Sequence, residues 1–303
     1  MLIEQAFFSL PEVLHGSGYQ QQDYESGIVG AFTLSLLQVL NGRNVPNPIG
    51  CLQSEKMFRT GGDFPGCTNP RYLRADLFVD VSRMTVANRR LAQYGWRHNA
   101  WLEGKFLRRP TAAPNTHSPN KTSAVASFAA DLIRLAVLVP DKVGGQSIAG
   151  RYFLHVYDQP PEYYLTFRAR IWCKRICTEG AQKIMLENFG NEPATMRRLL
   201  GDIGNLSVSL SVTNFVARPI VSAHRPVYWC YLTRIDSVQA TLGDRSFNIA
   251  ADRNVTSQNE DSLTRLAAHV ASRLHIAPDS RETIAAPEVE NDEPDAALGQ
   301  QDV

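Results

Sequence analysis

The chain has 303 residues, of which 44% are apolar and 20% charged, with a formal net charge of +1. That length and composition suit a globular protein with a sizeable core, not a disordered or low-complexity chain. No run of 18 apolar residues offers a membrane-spanning helix.

The charge is unevenly spread. Of the 31 bases 30 precede Asp279, but only 22 of the 30 acids do, so a basic body compatible with a polyanionic partner carries an acidic tail. The first residues lack a basic region ahead of their apolar part, so they do not resemble a secretory signal, and a cytoplasmic protein is expected. Cys51, Cys67, Cys173, Cys177 and Cys230 form no paired Cys-x-x-Cys knuckles, and reduced, mostly buried thiols are expected. The chain carries no glycine-rich phosphate loop, no His-Glu-x-x-His and no Gly-x-Ser-x-Gly elbow, so its residues give no support to ATP use or serine hydrolysis.

In chain order, residues 1–19 read as a short apolar piece followed by a turn-rich one from Pro11 to Gly18. A helix follows, with Asp23 as its cap and Glu25 in its first turn, where an acid is favoured. Ile28, Phe32 and Leu36 lie at helical spacing, with Val29 and Leu40 beside them, and Gly42 stops the helix. Glu25 lies three residues before Ile28 and shares the inward face. Residues 43–70 are rich in Asn, Pro and Gly and read as loop with one short strand near Cys51. Gln53, Glu55 and Lys56 are minor cleft candidates there.

Residues 72–81 read as a strand, with Arg74, Asp76, Phe78 and Asp80 on one face and Ala75, Leu77, Val79 and Val81 on the other. Asp76 is embedded in the apolar run; Asp80, at its end, is expected to meet solvent. A short helix is expected at 86–94. Residues 99–108 form a second strand, with Trp101, Glu103, Lys105 and Leu107 on one face and Ala100, Leu102, Gly104 and Phe106 on the other. A carboxylate and an ammonium thus stand side by side in an apolar strand, where charges are costly unless paired or ligated. The loop after Arg108 and Arg109 holds His117, read as solvated. A helix is expected over 121–139, with a stripe of Phe128, Leu132, Leu135 and Val139, with Asp131 and Arg134 off that stripe, and with Pro140 as its stop. A strand follows at 151–157, and His155 reads as a core histidine.

Beyond Pro160-Pro161, Tyr163 to Cys173 reads as strand and 179–200 as broken helix. Strands follow at 206–212, extending or bending toward 221, and at 228–235. A last helix is expected at 258–275. The domain plan is one body over 1–278, with a core at about 20–160, an extension at 161–278 and a disordered acidic tail at 279–303.

Two carboxylates and a lysine on neighbouring strands suit a hard divalent cation. The order of Glu25 on a helix, Asp76 on a strand, Glu103-x-Lys105 on the next, then a helix and another strand, resembles the PD-(D/E)xK nuclease superfamily. Ala75 stands where that pattern has proline. The resemblance covers about residues 20–160. It implies an α/β restriction-endonuclease-like fold, a mixed central sheet flanked by helices, here with a strand-rich C-terminal extension of the sheet. It also implies a Mg2+-dependent DNA endonuclease, with Mn2+ able to substitute. Asp76, Glu103 and the Gly104 carbonyl would hold the metal, Lys105 and Glu25 would assist, and Arg74, Arg97, Arg108 and Arg109 would contact DNA. A restriction or antiphage role, a homodimer and an activating ligand or partner are compatible with this. Two other readings stay open: an inactive nucleic-acid-binding or assembly module, and an ordinary α/β protein in which Glu103 and Lys105 pair at the surface.

Overall fold

A computed structural model describes residues 2–16, 25–60, 71–82, 99–108, 121–138, 149–168, 170–187, 206–221, 227–243 and 245–250. Helices α1 (Leu2–Gly16) and α2 (Glu25–Gly42) precede strands β1 (Leu52–Thr60), β2 (Arg71–Asp80) and β3 (Asn99–Leu107). Helix α3 (Lys121–Ile133) runs into a π-helical turn at Arg134–Leu138, and β4 (Gly150–Tyr157) follows. The second half supplies the short helix α4 (Ile171–Ile176) and strands β5 (Gly180–Leu186), β6 (Leu206–Ala217), β7 (Trp229–Leu242) and β8 (Arg245–Ala250).

The strands form one mixed sheet in the order β1-β2-β3-β4-β7-β6-β5, with β8 also paired to β7. Among the described ladders only β3 and β4 run parallel, in the register Glu103–Phe153 and Lys105–His155. Helix α3 lies between those two strands in sequence, the connection that a parallel pair needs. Strand β4 is buried along all eight residues, and its side chains alternate between two cores. Tyr152, Leu154 and Val156 join Phe7, Leu10, Phe32 and Leu36 under α1 and α2. Phe153 and Tyr157 join Phe128, Leu132, Cys173 and Ile176 under α3 and α4. The architecture is α/β, with helices covering both faces of the sheet.

Several segments differ from the sequence reading. Residues 2–16 are helical although Pro11 lies inside. Its missing N–H and ring clash cost about 3 kcal/mol, but burial of Leu2, Ile3, Phe7, Leu10 and Leu14 contributes about 1.5–3 kcal/mol for each side chain. The short strand expected near Cys51 is present as β1, which starts at Leu52 directly after a 3-10 turn at Pro48–Cys51 and is longer than expected at nine residues. The strand expected from Tyr163 to Cys173 is not formed among the described residues: a 3-10 turn ends at Tyr163 and helix α4 begins at Ile171, because Cys173 and Ile176 face the core at helical spacing. Residues 180–186 are strand, not helix. Gln182, Lys183, Met185 and Leu186 favour helix in isolation, yet pairing along β6 and burial of Ile184 and Leu186 decide the outcome. Strand β7 runs to Leu242, past the expected end at 235, and β8 was not anticipated.

The expected helices at 86–94 and 258–275 and the tail at 279–303 lie outside the described residues. No helix among the described residues is long and apolar enough to cross a membrane. Cys51, Cys173 and Cys230 are buried thiols outside any disulfide, and Cys177 is a half-buried one.

Candidate functional site

Strands β2 and β3 pair antiparallel from Asp80–Asn99 to Leu77–Leu102. At the next position Asp76 Oδ2 accepts the Gly104 amide hydrogen at 2.7 Å. The pleat of β2 is irregular here. Ala75 and Phe78 pack in the α3-side core while Leu77 and Val79 pack in the α2-side core, so the expected single alternation of Arg74, Asp76, Phe78 and Asp80 does not hold through Asp76. On β1, Glu55, between the pairs Ser54–Leu77 and Lys56–Ala75, takes a left-handed φ of 55°. Strand β3 keeps the expected alternation: Trp101 lies in the α3-side core, and Ala100 and Leu102 in the other.

Around this point six charged side chains converge from four elements. Glu103 on β3 is 1% exposed and pairs with Arg134, at the start of the π turn, through a short contact between Arg134 Nη2 and Glu103 Oε2. Lys105 Nζ lies 3.1 Å from Asp131 Oδ2 of α3 and 3.2 Å from Glu25 Oε2 at the start of α2. Arg134 Nη2 also lies 3.3 Å from Asp131 Oδ1. With all six ionised, four carboxylates face two cations, an excess of two negative charges.

Protonation follows from that excess and from burial. Burial pushes the Glu103 carboxyl well above the usual range against the opposing pull of Arg134. Burial likewise raises Asp76, more than the Gly104 hydrogen bond and Arg134 lower it. Glu25 is raised by burial, opposed by Lys105. Burial alone would lower Lys105, but Asp131 and Glu25 outweigh it and hold the ammonium charged. These are the opposed environments in which acid–base and metal chemistry are tuned.

Gly104 lets α2 approach. A Cβ there would lie 2.5 Å from Val29 Cγ2 and 3.6 Å from Asp76 Oδ2. The absent side chain thus serves the packing of α2 against β3, whereas toward Asp76 a Cβ would meet only ordinary van der Waals contact.

The donor set suits an oxygen-preferring divalent cation. Glu103 Oε1 is buried and has no hydrogen-bond partner, and an ion of charge two would balance the carboxylate excess. Among the described residues, no three His, Cys, Asp or Glu side chains are arranged as a ready cage; Arg134 and Lys105 hold the acids instead.

The structure therefore brings Glu25, Asp76, Glu103, Gly104 and Lys105 to one place. It adds Asp131 and Arg134, which the sequence reading set off the helix stripe. Their signal was present: an acid and a base three apart within a helix otherwise lined by Phe128, Leu132, Ile133, Leu135 and Ala136, all buried. Arg74 is exposed and pairs with Glu55 at 3.2 Å. Arg108 is half-buried just past β3. Arg97, Arg109 and His117 lie outside the described residues. Asp80 accepts the Ser82 amide hydrogen at 2.9 Å, a local turn contact. His155 is a buried core residue, its ring nitrogens facing Tyr157 and Thr233 hydroxyls at 2.9 and 3.4 Å, and burial pushes it down to about 3.

Comparison with known proteins gives no match: no family model, no curated protein and no solved structure matches this chain.

Proposed function

We propose that the protein is a metal-dependent endonuclease that hydrolyses phosphodiester bonds in DNA, built on a restriction-endonuclease-like core. The observation that carries this is the convergence of Glu25, Asp76, Glu103 and Lys105 at the end of the β2–β3 ladder, three carboxyl groups to one ammonium, with a buried, unpartnered Glu103 oxygen. Asp76 and Glu103, with the Gly104 carbonyl, would hold Mg2+ or Mn2+. When bound, such an ion supplies Lewis acidity toward the phosphate and lowers the pKa of bound water. Lys105, kept charged by Asp131 and Glu25, offsets charge that builds on the phosphoryl oxygens. Arg134 and Asp131 position Glu103 and Lys105.

The test is plasmid cleavage by purified protein with Mg2+ or Mn2+, beside an EDTA control and Glu103→Ala. Metal-dependent nicking by the wild type alone is expected. Discrete fragments would indicate site recognition as in restriction, and a smear an indiscriminate effector. A wild type that binds DNA but yields no metal-dependent product would support the second reading, an inactive nucleic-acid-binding module. The Arg134–Glu103 pair favours that reading, because it places a protein cation against the acid that would hold the metal.

A further inference from the structure

Between Glu162 and Glu179 the sequence holds four bases, Arg168, Arg170, Lys174 and Arg175, and no acid. We propose that this segment, centred on α4, docks the sugar-phosphate backbone of the nucleic acid that the carboxylate site acts on. The proposal rests on the nuclease reading above and adds a second contact surface to it.

Three observations support it. First, three of the four bases are displayed at the surface. Arg168, Lys174 and Arg175 are exposed. Arg168 and Lys174 have no carboxylate partner among the described residues, and Arg175 donates to the Lys183 carbonyl at 2.6 Å, not to an acid. Second, the platform is fixed. Cys173 and Ile176 anchor it in the core, and Asn214 Nδ2 on β6 donates to the carbonyls of Arg175 and Thr178 at 2.7 and 2.8 Å. Cationic groups on an anchored element lose less entropy on docking than those on a loose loop. Third, the position fits. Helix α4 and helix α3, which carries Asp131 and Arg134, pack into the same core on the same face of the sheet. Strand β6 lies three places from β3 in the sheet order, which is roughly 14 Å at about 4.8 Å per strand. That distance is about four nucleotides along one strand.

Ile171 is 65% exposed and Trp172 half-buried beside these bases. An anionic bilayer would also suit such a patch. Nucleic acid is favoured because the bases share a sheet face with Asp131 and Arg134 of the carboxylate site and Ile171 is the one largely exposed apolar side chain described between 168 and 175.

The experiment is duplex binding by fluorescence anisotropy in EDTA over a salt series, with the full chain, Arg168→Gln/Lys174→Gln, and Arg43→Gln on the opposite face as control. The expected result is a log–log salt slope shallower by about 1.8 for the double variant, from two phosphate contacts at about 0.9 each, with unchanged thermal unfolding and no change for Arg43→Gln. A slope unchanged in the double variant overturns the proposal, as does an equal loss in Arg43→Gln. Binding to phosphatidylserine vesicles that requires Arg168 and Lys174, with coincident DNA isotherms, overturns it in favour of a membrane. The plasmid assay separates the two readings. Cutting with an unchanged slope leaves the nuclease and removes this surface; a shallower slope in a protein that never cuts leaves the surface and removes catalysis.

Discussion

The carboxylate of Asp76 accepts the Gly104 amide hydrogen at 2.7 Å, one position past the last Leu77–Leu102 pair of the β2–β3 ladder. A side chain thus takes up a backbone donor at the point where the acid, Glu103 and Lys105 come together. The geometry of the candidate site is built into the sheet and not hung on a loop.

Packing at Gly104 gives the first prediction. Gly104→Ala puts a carbon 2.5 Å from Val29 Cγ2, and overpacking of this kind costs about 1–3 kcal/mol. Val29→Ala should relieve it, so the double variant is expected to lose less stability than the two single losses together. Urea unfolding of all four proteins measures this coupling; strict additivity would show that α2 does not press on Gly104.

Lys105 gives the second. Lys105→Ala should reduce cleavage by about 100-fold or more, the scale of losing a preorganised charge in an active site, while DNA affinity stays within about threefold. Active-site titration and anisotropy on the same preparation check both halves. Full activity of the purified variant would remove Lys105 from the chemistry.

Arg134 gives the third. Arg134→Met removes the counter-charge of the buried Glu103, and breaking one partner of a buried pair costs about 3–5 kcal/mol at a pH where the carboxyl is ionised. Arg134→Met/Glu103→Gln should recover most of that loss in denaturant unfolding. A mild effect of the single variant would mean that Glu103 already folds protonated.

The fourth prediction concerns pH. Glu103, Asp76 and Glu25 all have carboxyl groups raised above their ordinary values of 3.8 to 4.5. The folded state holds these protons more tightly than the unfolded chain. The resulting stability is complete below the unfolded values and is lost as pH climbs through the folded ones. Metal-free protein should therefore melt at a lower temperature at pH 8 than at about pH 5. Glu103→Gln should flatten that fall, and Mg2+ should stabilise the wild type more at pH 8 than at pH 5. Calorimetry at the two pH values with and without Mg2+ tests it; a wild type and variant with parallel pH profiles would exclude Glu103 as the titrating group.

The charged cluster of the candidate site was largely legible in the sequence because its residues sit inside regular elements. Glu103 and Lys105 interrupt an otherwise apolar β3, and Ile28, Phe32 and Leu36 mark the buried face of α2 that carries Glu25. Asp131 and Arg134 escaped because the stripe of Phe128, Leu132 and Leu135 was read as the whole buried face of α3, whereas burial wraps around it. The pleat at Asp76 escaped because alternation assumes an unbroken strand. Helix α4 and strand β5 were misread for a different reason. Their local propensities point the wrong way, and only long-range pairing of β5 with β6 and burial beneath α4 reverse them.

One consequence concerns where this chain can be cut. The residues of the candidate site lie before position 135, which invites expression of the first 160 residues alone. Strand β4 forbids it. Its seven-pair ladder with β7, from Arg151–Ile235 to Tyr157–Trp229, supplies one whole side of its hydrogen bonding. Truncation there would strip the partner from a fully buried, mostly apolar strand and expose an edge ready to pair with another chain. Such a fragment is expected to collect in inclusion bodies, and only chains that reach past Leu242 should be recovered in soluble form.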